Sequence, residues 1–243
     1  MKLFYITILL NISFAFGQTQ VQYKQQNIEN LSNVNDIKLK QELELFNNHK
    51  TFYNLIIKNQ ESIYQLNPTI NNNQGASNVK IIFSEEEDVY YTNIGQGNYI
   101  FQTTYNHKKI LIKDQLKPLQ WTPTKEESTH LGFTVRKAIL KNGSIETEAW
   151  YAPELKYKNG PQNFWGLPGL ILKIESNSFD TNGEMTYTMI LEAIEIKQND
   201  KEKLKIPTKG EIMTQAEYND FKKKQYQIYL ENERNTVDRK IDQ

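Results

Sequence analysis

The chain has 243 residues, with 29 basic and 29 acidic side chains and no cysteine. A balanced total of this kind offers no footprint for nucleic acid or an anionic membrane, and an exported chain without cysteine must be held by its core rather than by disulfides. The length suits one large domain or two small ones, and no linker divides it.

Residues 1–17 carry Lys2, an apolar stretch from Leu3 to Leu10 continuing through Ile12 to Phe16, and the small-x-small site Ala15-Phe16-Gly17. That is the pattern of a secretory signal peptide. Its roughly 14 apolar-dominated residues are too few to span a bilayer, which needs about 20, and Gln18 rather than cysteine follows the cut. The expectation is an exported protein, periplasmic or extracellular, with residues 18–243 as a single domain and no stable membrane insertion after cleavage.

Val21 to Asn27 reads as a first edge strand, and Asp36 to Asn48 as a short amphipathic helix. Thr51 to Ile57 and Ser62 to Leu66 are β-branched and aromatic-rich, and Lys58-Asn59-Gln60-Glu61 between them reads as a hairpin. Val79 to Phe83, Val89 to Ile94, Tyr99 to Tyr105 and Lys109 to Lys113 continue the series at the spacing of an antiparallel meander. Leu116 to Trp121 is a proline-broken link. The hairpin Gly132 to Tyr151 follows, with Asn142-Gly143 as its turn signal. Counting outward from that turn pairs Lys137 with Glu148 and Val135 with Trp150. One face then carries Val135, Lys137 and Ile139 with Glu146, Glu148 and Trp150, and neither face is cleanly apolar.

Pro153, Gly160 and Pro161 exclude both helix and central strand from Ala152 to Trp165, so this stretch is an ordered loop anchored by its aromatics. In Leu167-Pro168-Gly169-Leu170 the proline and glycine suit the two central positions of a type II turn, which would give Gly169 a positive φ. The turn releases into the apolar strand Leu170 to Glu175, and Asn182-Gly183 joins it to a long strand from Glu184 to Ile196. Thr214-Gln215-Ala216-Glu217 has the spacing of a capping box. It predicts a C-terminal helix from Gln215 to about Asn232, docked by Tyr218, Phe221, Tyr226 and Tyr229.

The string GPQNFWGLPGLILKIE at Gly160 to Glu175, preceded by AWYAPEL at Ala149 to Leu155, closely resembles the GLPGLI family of secreted Bacteroidetes proteins. Its signature is Gly166, Leu167, Pro168, Gly169, Leu170 and Ile171. Weaker matches are Glu61 to Tyr64, Gly132 to Leu140, and Ile206 to Tyr218. The family pattern commonly carries a cysteine in the strand before the Lys137-Ala138 pair, where this chain has Val135. The resemblance implies a lineage and an exported compartment, and no assigned activity.

The fold expected is mostly β: one strongly curved antiparallel meander sheet of nine to eleven strands, half-barrel-like, with a helix near each end; a β-sandwich is the alternative. His49, His107 and His130 have no ligand spacing, so no metal is expected; no nucleotide or nucleophile motif points to a cofactor or a catalytic residue. Trp150, Tyr151, Phe164 and Trp165, with the Lys137/Glu148 pair, form the candidate surface for an apolar small ligand or an envelope partner, with loop anchoring the competing role for the aromatics. The function expected is a non-enzymatic binding or carrier module. The alternatives are an exported hydrolase using Glu148, Glu154 and Lys137, and a structural or interaction module.

Overall fold

The computed structural model describes residues 18–67, 88–199 and 203–241, with side chains through residue 231. The signal peptide expected at 1–17, the strand expected at 79–83 and most of the polar tract 67–78 lie outside the described residues.

In chain order the elements are β1 (Thr19–Glu29), α1 (Ile37–Asn48), β2 (Lys50–Lys58), β3 (Glu61–Leu66), β4 (Val89–Asn93), β5 (Asn98–Tyr105), β6 (Lys108–Gln115), β7 (Thr122–His130), β8 (Phe133–Asn142), β9 (Ile145–Ala152), β10 (Leu170–Phe179), β11 (Met185–Gln198), β12 (Glu211–Met213) and α2 (Gln215–Ile241). All twelve strands join one sheet in the order β12-β6-β5-β4-β3-β2-β1-β11-β10-β9-β8-β7. Every pairing is antiparallel except β12 with β6. The sheet is not closed, and β12 and β7 are its edges.

Two neighbouring meanders are thus stitched together by β1. It pairs with β2 on one side and with β11, the strand running from 185 to 198, on the other. The edge position expected for this strand is corrected: it is central, and Val21 and Tyr23 have no exposed surface. Its glutamines gave it an edge-like composition, but several of them are buried or hydrogen-bonded. Gln20 is 5 % exposed, and Gln26 Nε2 donates to Asn47 O at 2.8 Å. A pairing partner so distant in sequence leaves no local signal.

The sheet curls strongly. Asn159 in the 153–169 loop accepts from Ile171 N on β10 (3.1 Å) and its Nδ2 donates to Ser62 Oγ on β3 (2.9 Å). Between β10 and β3 lie β11, β1 and β2, so on a flat sheet those partners would sit roughly 19 Å apart at about 4.8 Å per strand. In the other half, His130 Nε2 meets Ala193 O at 2.7 Å, joining β7 to β11 across three intervening strands. Ala193 lies beside a slip in the β1–β11 register, and a second slip falls at Leu172 between β9 and β10. Such bulges bend a strand and increase its twist, as the curl requires.

Local chemistry explains most elements. Asp36 caps α1, accepting from Leu39 N at 2.9 Å. The capping box opens α2 as the spacing predicted: Glu217 Oε2 accepts from Thr214 N at 2.7 Å, and Thr214 Oγ1 accepts from Glu217 N at 3.2 Å. Two expectations are corrected. The β8–β9 turn is Gly143-Ser144, so Asn142 faces Ile145 and Lys137 faces Trp150 rather than Glu148. The shift is two residues, so the composition of each face is unchanged. Between the proline-broken link and this hairpin, Thr122–His130 forms a further strand; exposed on both faces and holding Pro123, it has the polar make-up of an edge. Tyr226 and Tyr229 do not dock α2: they are 59 % and 57 % exposed, and Tyr218 and Phe221 alone pack on Phe101 and Tyr105.

Candidate functional site

The loop 153–169 reaches across the fold. Leu155 joins a core of Val21, Tyr23, Leu55, Ile57, Tyr64, Val135, Leu170 and Leu172, with Tyr157 packed beside it. Leu167 joins a second core of Ala138, Ala149, Tyr151, Ile171, Ile174 and Leu191, with Phe164 and Trp121 packed against that one. Polar bonds complete the attachment. Tyr157 OH meets Thr19 Oγ1 at 2.7 Å, Trp121 Nε1 donates to Trp165 O at 2.9 Å, and Gln162 Nε2 donates to Gln25 Oε1 at 3.3 Å. The loop is therefore a clasp between both halves of the sheet.

Backbone sterics make the clasp possible. Gly166 has φ +98°, in the left-handed region that glycine adopts without penalty. Gly169 does not: its φ lies outside that region, which corrects the type II turn. Its N–H instead closes on Leu167 O at 2.9 Å, a three-residue γ-type turn around Pro168. The requirement for glycine survives for a different reason. A β-carbon at 169 would lie 2.3 Å from Ala152 O and 2.8 Å from Pro153 N, inside main chain that cannot move aside. Gly160 is equally confined, between Phe164 O and the Ile171 side chain.

The six candidate site residues do not converge on one surface. Trp150 packs against the first core, whereas Tyr151 and Phe164 belong to the second, and Trp165 contributes its carbonyl to Trp121. This division is what loop and strand anchoring demands of them. A smaller group does assemble. Lys137 Nζ lies 2.8 Å from Glu148 Oε1, 3.4 Å from Glu126 Oε1 and 5.8 Å from the centroid of the Trp150 ring. The Lys137 side chain is only 13 % exposed. The hydrogen bond that Lys137 donates to Glu148 holds its ammonium above the usual lysine range, against an opposing desolvation effect. Glu126 could not be found from sequence, because it sits on the unrecognised edge strand β7. Glu154, the other carboxyl of the expected hydrolase set, is exposed and has no part in this group.

The concave side bounded by the clasp and β1–β3 is filled by its own side chains; Tyr23, Leu55, Ile57 and Tyr64 are at most 2 % exposed there. A cleft of about 410 Å³ lies elsewhere, toward the β12 edge, lined by Tyr91, Asn98, Tyr99, Lys113, Asp114 and Ile206 among others. Tyr99 OH donates to Gln215 Oε1 at 2.9 Å, and burial pushes its phenol up to about 12. Among the described residues no cluster of His, Asp and Glu is arranged to hold a metal ion. None of their helices is long and apolar enough to cross a membrane.

Fold and site together define an open, curled, mostly antiparallel sheet whose ends are tied by an internal loop. Residues 94–173 of the chain, from the β4–β5 turn through the clasp to the β10 bulge, match a family model described as a protein of unknown function (Porph_ging). No curated protein matches. Among solved structures, PNGF-II in its P21 and C2 crystal forms is similar, with TM-scores of 0.55 and 0.53 and 19 % identity in each case. Each match covers 84 % of this chain and 32 % of the PNGF-II chain, so this chain spans about a third of PNGF-II's length and the likeness is one of fold.

Proposed function

We propose that this is an exported binding module of the cell envelope, of the GLPGLI kind, which docks a partner molecule through the surface around Trp150 and Lys137 and performs no chemistry of its own. The observation that carries the reading is the commitment of Lys137: paired with Glu148 and Glu126 and lying over a half-buried tryptophan, it is a fixed cation rather than a proton acceptor. A lysine serving as a general base needs its pKa lowered, and this one is raised. Half-buried tryptophan beside an ordered charge pair is the composition of an interface anchor. The filled concave side favours an envelope partner over an apolar cargo. The recurrence of the fold as about a third of PNGF-II agrees with a modular role.

The test compares native protein and a Lys137→Ala/Trp150→Ala double variant purified side by side from the envelope and read by native mass spectrometry. The reading expects a species that co-purifies with the first and is depleted at least tenfold from the second. Equal recovery from both would reject it.

A further inference from the structure

The neutral total charge conceals a strong segregation. Residues 108–117 and 203–224 hold ten lysines and four acidic residues, a net of +6, so the remainder of the chain carries −6. The topology gathers these two stretches at one sheet edge. β12 pairs with β6, and α2 starts against it: Gln215 N donates to Asp114 Oδ2 at 3.0 Å. All ten lysines are exposed. Of the four acids, Glu211 is paired with Lys108, and Asp114 and Glu217 accept from backbone N–H groups. These carboxylates keep their charge, and the excess of six positive charges is what remains after counting them.

Apolar side chains are interleaved with the cations. Ile212 on β12 is 64 % exposed, and Tyr226, Ile228 and Tyr229 on α2 are more than half exposed or close to it. On the helix, Lys222, Tyr226 and Tyr229 recur at i, i+4 and i+7 on one side, and Lys224 and Ile228 at i and i+4 on another, so each stripe carries both a lysine and an apolar residue. A surface built only for a polyanion has no use for exposed isoleucine and tyrosine. An anionic bilayer uses both: lysines attract its headgroups, and tyrosine rings and aliphatic chains enter the interfacial layer.

We propose that the edge formed by β6, β12 and α2 is an adsorption surface for an anionic lipid bilayer, holding the protein flat against a membrane without spanning it. This goes beyond the partner reading above and rests on different residues, at the opposite edge of the strand order.

The test is co-sedimentation of the chain from Gln18 onward with vesicles of phosphatidylglycerol and phosphatidylcholine mixed three to seven, against phosphatidylcholine alone. Binding is expected to the mixed vesicles only. It should fall at least tenfold between roughly 0.05 and 0.5 M salt, because screening shortens from over 10 Å to under 5 Å. Lys222→Glu/Lys223→Glu/Lys224→Glu should lower it at least tenfold. Tyr226→Gln/Ile228→Gln/Tyr229→Gln should lower it at least threefold while leaving binding to dextran sulfate unchanged; all six substituted residues are exposed on the helix, and an unchanged thermal midpoint verifies the fold. Absence of mixed-vesicle binding at low salt would overturn the proposal. So would vesicle binding that the glutamine variant leaves intact, since that is the behaviour of a polyanion surface.

Discussion

The clasp at 153–169 and the helix α2 both leave the sheet, and they are held in opposite ways. The clasp has no repeating hydrogen-bond ladder, so its backbone must find partners one at a time: Gly166 N with Lys158 O, Leu170 N with Leu155 O, Ile171 N with Asn159 O. It is consequently tied to both cores and to β1, β3 and β10. The helix satisfies its own backbone and needs only an anchor. That anchor is its first two turns, through the Thr214/Glu217 box, Asp114, Tyr218 and Phe221. An irregular segment can be ordered only by tertiary structure, whereas a helix can project from it.

The contrast is sharpest at Gly169. Gly169→Ala is expected to destabilise by about 1–3 kcal/mol, the range for forcing atoms into a packed interior. Gly169→Val should cost more, since the added methyls meet the same Ala152 and Pro153 main chain. At roughly 2–4 °C per kcal/mol for a chain of this size, thermal melting resolves both. A midpoint for Gly169→Val equal to wild type would break the comparison.

Next in size is Asn159→Ala, which leaves Ser62 Oγ without its buried partner and is expected to cost about 1–3 kcal/mol. The sharper measurement is a double-mutant cycle with Ser62→Ala, read from urea unfolding. A coupling near zero would mean that the bond does not hold the curl.

On the helix side the effects are smaller and pH-dependent. Backbone N–H groups of Gln115 and then Gln215 hold the Asp114 carboxyl below its usual range. Because its folded-state pKa is below its unfolded one, its contribution is complete above the ordinary carboxylate range and is lost as pH falls through the folded value. The stability difference between wild type and Asp114→Asn should therefore be at most about 1 kcal/mol near pH 6, given the solvent exposure of the group, and shrink toward pH 3. A difference that grows on acidification would contradict the assignment. Smallest of all is removal of residues 226–243, expected to shift stability by less than about 0.5 kcal/mol because the anchor remains. A large loss on calorimetry would show the helix to be as integrated as the clasp.

What the sequence determined by itself is what short-range chemistry controls. The capping box of α2, the Asp36 helix start, the β2–β3 hairpin at Asn59-Gln60 and the strand content of the meander follow from side chains within a few residues of one another. The prohibition of a side chain at Gly169 was also legible, though for the wrong reason, because a γ-type turn and a β-turn make the same first use of proline. Tertiary structure decided the rest. The central place of β1, the curl that brings Asn159 to Ser62, the strand character of Thr122–His130 and the arrival of Glu126 beside Lys137 depend on pairings between distant segments. So does the gathering of two lysine-rich stretches at one edge: composition sums charge along the chain, and only the pairing of β12 with β6 determines where in space that charge lies.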